Sequence, residues 1–155
     1  MKKKFMRAAI RLSLEMMRCG KGGPFGAVVV RNSKIIGRGC NEVTSANDPT
    51  AHAEISAIRD ACKRLKTFQL VECDLYTSCE PCPMCLAAIY WARLRTVYYA
   101  NTRKDAARIA FDDDFINRQV ALPVPKRTLV MRQLLRDEAI AAFVEWEKKA
   151  DKIPY

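Results

Sequence analysis

The sequence predicts an α/β fold in three layers, in which helices cover both faces of one sheet. Segments of β-like composition alternate with segments of helical period along the 155 residues. That length suits one compact domain over 1–155, and no Pro/Gly/Ser-rich linker, internal repeat or low-complexity run divides it. Helical segments between the later strands favour parallel pairing there, after an antiparallel hairpin.

The first part of the chain predicts a helix, a hairpin and a second helix. Apolar residues recur with helical period over 4–18, and glycines followed by a proline end this helix. The β-like segments 25–30 and 34–39 flank a polar turn, which is typical of a hairpin. After a polar loop over 41–49, an apolar stripe predicts a helix over 52–65.

The rest of the chain continues the alternation. The predicted elements are a strand at 74–77, a helix at 82–93, a strand at 95–100, a strand at 128–132 and a helix at 133–149. A loop or helical stretch before the last strand carries three consecutive aspartates at 112–114.

The charge of the chain is concentrated near its start. The net charge is +10, and residues 1–40 hold ten Lys/Arg against one acid, whereas the remainder holds seventeen against sixteen. Such an excess either attracts nucleic acid or forms a solvated face, and both interpretations stay open on charge alone. No apolar run approaches the roughly 18–20 residues of a membrane span, and the N-terminus lacks a signal-peptide pattern. We therefore expect a cytoplasmic protein with no membrane partner.

The chain has a single histidine and seven cysteines, which restricts any metal site. Cys82 and Cys85 stand at i and i+3 beside two prolines typical of a helix start, so both sulfurs can face one ion. Thiolate and imidazole suit Zn²⁺, and His52 would be the third ligand. Three protein ligands leave the fourth position for water, which is the pattern of a catalytic site.

Glu54 follows the histidine by two residues. A carboxylate there can take a proton from zinc-bound water, whose pKa is lowered to about 7. A competing interpretation is a four-ligand structural site completed by Cys79, in which Glu54 would have no role. The other four cysteines (Cys19, Cys40, Cys62 and Cys73) lack a partner pattern and are predicted to pack in the core.

The His-x-Glu and Pro-Cys-x-x-Cys pair is the signature of zinc deaminases. Here the chain resembles the cytidine and deoxycytidylate deaminase superfamily and, within it, the bacterial guanine deaminases. The segments that carry the resemblance are GGPFGA at 22–27, Asn41, NDPTAHAE at 47–54, YTSCEPCPMC at 76–85, IYWA at 89–92, FDDDFI at 111–116 and the final Tyr155. The resemblance runs essentially end to end.

The resemblance implies a cytidine-deaminase-like fold with a mixed five-stranded sheet, in a homodimer whose C-terminal segment is exchanged between subunits. It implies one Zn²⁺ per subunit, held by His52, Cys82 and Cys85, and hydrolysis of guanine to xanthine and ammonia. The implied catalytic roles are proton transfer by Glu54 and contact of Asp113 with the departing amino group. The implied binding roles are hydrogen bonds to the purine from Asn41 and the Ala53 backbone. The resemblance also implies that Phe25 and Trp91 shape the slot around the purine ring and that Tyr155 closes the site. Asp112 and Asp114 remain alternatives to Asp113.

Three other functions stay open from the sequence. The basic N-terminal stretch favours a tRNA adenosine deaminase, and the shared zinc motif also fits a deaminase of cytosine or another aminated ring. A zinc-stabilised nucleic-acid-binding module without catalysis is the non-enzyme alternative. The near balance of charge after residue 40 favours a small purine base over nucleic acid as the partner.

Overall fold

The computed structural model describes residues 2–111 and 113–155. The chain divides into two compact units, one ending at Asn117 and the other covering Arg118–Tyr155. The elements of the first unit are α1 (Lys2–Arg18), β1 (Gly26–Arg31), β2 (Lys34–Cys40), α2 (Val43–Ala46), α3 (Ala53–Leu65), β3 (Asp74–Cys79), α4 (Pro83–Trp91), β4 (Thr96–Asn101) and α5 (Arg103–Ala107). Helix α6 (Asp113–Ala121) continues into the second unit, which also contains a 3₁₀ turn (Val124–Lys126) and α7 (Arg136–Lys148).

The first unit is built on a mixed sheet with the strand order β2-β1-β3-β4. Strand β1 pairs antiparallel with β2 and with β3, whereas β3 and β4 are parallel. Asn32 and Ser33 turn the first hairpin with φ of 48° and 60°, as a two-residue loop of the left-handed kind requires. Both the predicted antiparallel hairpin and the predicted parallel pair are confirmed.

Helices cover both faces of the sheet. Along β1, Val28 and Val30 pack on one face with Phe5 and Ala9 of α1. On the other face, Ala27, Val29 and Leu75 share a core with small residues of α3 and with Ile89 of α4. Because successive side chains of a strand alternate between faces, β1 is buried on both sides and forms the centre of the three layers.

Helix α3 lies unusually close to β2. A Cβ placed on Gly39 would stand 2.2 Å from the carbonyl oxygen of Ala53, so no larger residue fits without displacing the helix. This contact fixes the first turn of α3, in which the predicted catalytic glutamate lies, against the sheet.

The prediction of five strands is wrong for the described residues, whose sheet has four. The predicted strand at 128–132 is irregular. The Thr128 N–H donates to Gln119 Oε1 at 2.8 Å, and the Arg127 Nε–H donates to the Leu122 carbonyl at 3.0 Å. These hydrogen bonds to the end of α6 and the residue after it take the place of a strand ladder.

The second unit has no buried residue between Arg118 and Tyr155. Its large exposed apolar residues include Leu129, Val130, Leu134, Phe143, Trp146 and Ile153. A segment of this size cannot enclose a core of its own. None of the described helices has the length and apolar content to cross a bilayer.

Candidate active site

Two helix starts supply the predicted metal ligands. His52 is the N-cap of α3 and Cys82 the N-cap of α4, both with extended backbone. Proline is well tolerated in the first turn of a helix because the N–H it lacks has no partner there, and Pro83 opens α4. The Cys85 N–H points to the Cys82 sulfur at 3.5 Å, so both thiols of the motif lie at the start of one helix.

The three ligand atoms form a triangle of the right size for zinc. His52 Nδ1 lies 3.5 Å from Cys82 Sγ and 3.5 Å from Cys85 Sγ. All three atoms lie within 4.8 Å of one another. Tetrahedral zinc with its usual bond lengths separates a nitrogen from a sulfur by roughly 3.6 Å, so these residues fit the ion.

Cys79 is not part of this cluster, within the residues described. Its thiol instead lies 3.6 Å from the Thr102 carbonyl oxygen, to which it donates. Burial and then the charge of Glu54 raise the pKa of Cys79 to about 11, so the thiol stays protonated at neutral pH. The geometry therefore does not support the four-ligand interpretation.

The cluster favours an ionised thiol at Cys82. The neighbouring Cys85 side chain and then His52 lower the pKa of Cys82 well below the usual value of a thiol, against the opposing effect of desolvation. The contact with Cys82 in turn raises the pKa of His52. Thiolate is the form that binds metals.

Glu54 lies beside this triangle. Its side chain is 5% exposed, and its Oε1 accepts a hydrogen bond from the Thr77 hydroxyl at 2.9 Å. Its Oε2 accepts from the Cys85 thiol at 3.4 Å. Burial raises the pKa of Glu54, so this carboxylate can carry a proton at a pH where an exposed one would not.

A cavity opens beside the three candidate metal ligands and Glu54. Its lining residues are Phe25, Asn41, His52, Ala53, Glu54, Cys79, Glu80, Cys82, Phe111 and Asp113. Phe25 and Phe111 meet edge to face with ring centroids 4.8 Å apart. Aromatic rings, an amide and carboxylates around one cavity form a typical small-molecule site.

The cavity brings together most of the predicted substrate and catalytic residues: Phe25, Asn41, Ala53, Glu54 and Asp113. Of the aspartate triplet, Asp113 lines it and Asp112 lies outside the described residues. Trp91 is not among the described lining residues, and its side chain is 64% exposed at the end of α4. Tyr155 ends the second unit and is 70% exposed.

Three residues that touch this site were given no role from the sequence. Thr77 could have been found by alternation, because it follows Leu75 on the same face of β3. Phe111 precedes the aspartates by one residue, but its contact with Phe25 is long-range and leaves no local signal. Glu80 accepts a hydrogen bond at 3.0 Å from the Arg103 N–H, a tertiary contact between the segment after β3 and the start of α5.

Two thiols and one imidazole that could hold a metal ion lie beside a buried carboxylate, which matches the donor pattern of a catalytic zinc site. The family model of the cytidine and deoxycytidylate deaminase zinc-binding region matches residues 1–101. The chain belongs to this deaminase family.

Individual relatives agree with the family assignment. The chain is 50% identical to guanine deaminase from Bacillus subtilis over 97% of each chain. The crystal structure of that enzyme superimposes with a TM-score of 0.96 and covers 99% of this chain and 98% of its own. A guanine deaminase from Nitrosomonas europaea is 32% identical with a TM-score of 0.66 over 70% of this chain and 63% of its own. A tRNA-specific adenosine deaminase from Buchnera aphidicola subsp. Baizongia pistaciae is 33% identical over 97% of this chain and 91% of its own.

Proposed function

We propose that this protein hydrolyses guanine to xanthine and ammonia, using one zinc ion held by His52, Cys82 and Cys85. The observation that carries the proposal is the ligand triangle with Glu54 beside it at one cavity. The 50% identity to a guanine deaminase over nearly the whole chain supports guanine as the base.

Glu54 is the proton carrier in this proposal. Zinc, when bound, would supply the Lewis acidity that makes water a nucleophile at neutral pH. Glu54 takes one proton from that water and delivers it to a ring nitrogen as the oxygen attacks C2 of the base. A second proton reaches the amino group, which leaves as ammonia, and the C2 carbonyl of xanthine remains. Asp113, on the cavity wall, would contact the departing amino group.

The cavity wall would hold the planar base. The Phe25 ring would pack against the purine ring, while Asn41 and the backbone N–H of Ala53 would hydrogen-bond to it. Trp91 and Tyr155 complete the slot in the proposed dimer. Both aromatic side chains are more than half exposed in the single chain, as expected for residues that a second subunit would cover.

We further propose that the protein is a cytoplasmic homodimer that exchanges its C-terminal segments, and that 1–155 works as one deaminase domain. The support is the second unit, in which no residue between Arg118 and Tyr155 is buried. So many exposed apolar side chains on a short segment require a covering surface. Light scattering coupled to size exclusion tests the dimer, and a monomer would overturn it.

Subunit complementation tests the exchange. Glu54→Gln and Tyr155→Ala are each expected to be inactive alone. If Tyr155 acts on the partner's site, mixed dimers regain one complete site, and random mixing restores roughly a quarter of wild-type activity. If Tyr155 acts within its own subunit, mixing restores none.

The function itself is tested by incubating the zinc-loaded protein with guanine, adenine, cytosine, their nucleosides and tRNA, and measuring ammonia. Ammonia from guanine is expected, and its absence would overturn the proposal. Glu54→Gln should keep its zinc and lose turnover. A wild-type rate in that variant would refute the role of Glu54.

A tRNA adenosine deaminase is the second candidate. It is favoured by the basic stretch over 1–40 and by the 33% identity to a tRNA-specific adenosine deaminase over most of the chain. Release of ammonia from tRNA but not from guanine would establish it. RNA binding with a steep salt dependence and no ammonia release would instead indicate a binding module.

A further inference from the structure

The loop between α1 and β1 is hydrogen-bonded to the segment after β2. The Gly23 N–H donates to Asn41 Oδ1 at 3.1 Å, and the Asn41 N–H donates to the Phe25 carbonyl at 3.1 Å. The Ser45 hydroxyl donates to the Lys21 carbonyl at 2.6 Å. These bonds hold the loop directly against Asn41, which is 5% exposed.

The Asn41 side chain is oriented by two donors. Its Oδ1 accepts from the Gly23 N–H and also from the Val43 N–H at 3.4 Å. A flipped amide would turn its NH₂ group toward both of these donors, so the observed orientation is the only one that satisfies them. The amide oxygen Oδ1 therefore accepts its hydrogen bonds from the protein.

The nitrogen end of the same amide is left for the cavity. Nδ2 of Asn41 makes no hydrogen bond to any of residues 2–111 or 113–155. Among the described residues, every fully buried side-chain nitrogen or oxygen has a hydrogen-bond partner. Nδ2 has none, so it is not fully buried. Because Asn41 lines the cavity, we place Nδ2 at the cavity surface. An NH₂ group there can only donate.

Close approach leaves no room for a side chain at Gly22 and little room at Gly23. A Cβ on Gly22 would lie 2.4 Å from the Asn41 carbonyl oxygen and 2.6 Å from its Oδ1. A Cβ on Gly23 would lie 3.0 Å from the Phe111 ring and 3.3 Å from the Phe25 ring. Neither glycine has a left-handed backbone, so space and not conformation excludes a side chain at Gly22 and disfavours one at Gly23.

We propose that Gly22 and Gly23 form a positioning element for substrate: they fix the Asn41 amide with its NH₂ group toward the cavity, so this subsite accepts a hydrogen-bond acceptor of the base. The inference rests on the proposed function for its choice of guanine. A carbonyl oxygen or an unprotonated ring nitrogen satisfies the subsite. An amino group or a ring N–H placed there leaves two donors facing each other, which costs binding.

Binding is measured in the zinc-loaded Glu54→Gln protein, so that turnover does not interfere. Guanine is the probe, by equilibrium titration. Gly22→Ala is expected to weaken guanine binding about tenfold or more by displacing the amide. Asn41→Asp keeps an oxygen for the Gly23 N–H but loses the donor, and is expected to weaken binding to a similar extent.

The double variant tests positioning. If Gly22 acts through Asn41, adding Gly22→Ala to Asn41→Asp weakens binding little further, whereas independent effects would multiply. In the otherwise wild-type enzyme, Gly22→Ala should raise KM for guanine and leave kcat little changed. Multiplying effects, or wild-type affinity in Gly22→Ala, would overturn the proposal.

Gly37→Ala is the matched control. Its Cβ would lie 2.5 Å from the Ala57 carbonyl oxygen, an equally close approach in the core between β2 and α3. It should lower the melting temperature and leave guanine affinity unchanged, and an equal loss of affinity would overturn the proposal. If the Glu54→Gln protein binds adenine or cytosine and not guanine, the proposed function fails. The comparison of Gly22→Ala, Asn41→Asp and the double variant can then be made with that base and still decides the role of Gly22.

Discussion

The hydrogen bond from Thr77 to Glu54 gives the sharpest test of how the proposed catalytic carboxylate is held. Thr77 is fully buried, and its hydroxyl donates to Glu54 Oε1 at 2.9 Å. Thr77→Val has nearly the same shape and removes only this donor. The carboxylate then loses a buried partner and its fixed orientation.

The size of the effect follows from the charge on the acceptor. A hydrogen bond to a charged group is worth about 1.5–3 kcal/mol. If the transition state uses all of it, kcat for guanine falls roughly 10- to 150-fold. The zinc content should stay at the wild-type value, because Thr77 is not a ligand.

The assay is steady-state ammonia release from guanine, with zinc measured by mass spectrometry on the same sample. Ser78→Ala is the matched control, since the Ser78 hydroxyl accepts from the buried Gly26 N–H at 3.0 Å and Ser78 faces the side of β3 opposite to Thr77. It should cost stability and leave kcat unchanged. A Thr77→Val enzyme with wild-type kcat would refute the argument that Thr77 orients Glu54.

Further predictions concern the metal and the aromatic wall. Cys79→Ser should keep its zinc, because the Cys79 thiol contacts Thr102, whereas Cys82→Ala should lose both zinc and activity. Zinc loss in Cys79→Ser, or full metallation of Cys82→Ala, would contradict the ligand assignment. Phe111→Ala should raise KM for guanine by roughly three- to tenfold, because it removes an edge-to-face pair worth about 0.5–1.5 kcal/mol. An unchanged KM would show that Phe25 is held without Phe111.

The first four strands, the helices α1, α3 and α4, and the cluster of candidate metal ligands could be predicted from the sequence because their signals are local. Helical and strand periods depend on neighbouring residues, and the i, i+3 spacing of Cys82 and Cys85 at a helix start places both sulfurs on one side. The presence of a single histidine left His52 as the one candidate for an imidazole ligand. The predicted starts of α3 and α4 agree with the structure to within one residue, because His52 and Cys82 are the caps, whereas α4 ends two residues before the predicted end at 93.

The rest was decided by contacts between residues far apart in the chain. Thr77 meets Glu54 across 23 positions and Gly23 meets Asn41 across 18, so no local pattern marks either pair. The predicted fifth strand had the right composition, but a strand needs a backbone partner, and 128–132 bonds instead to the end of α6. The sequence by itself determined which atoms can bind a metal, because ligand chemistry belongs to residue type. Only the tertiary structure decided which groups orient those residues, because that depends on which surfaces pack together.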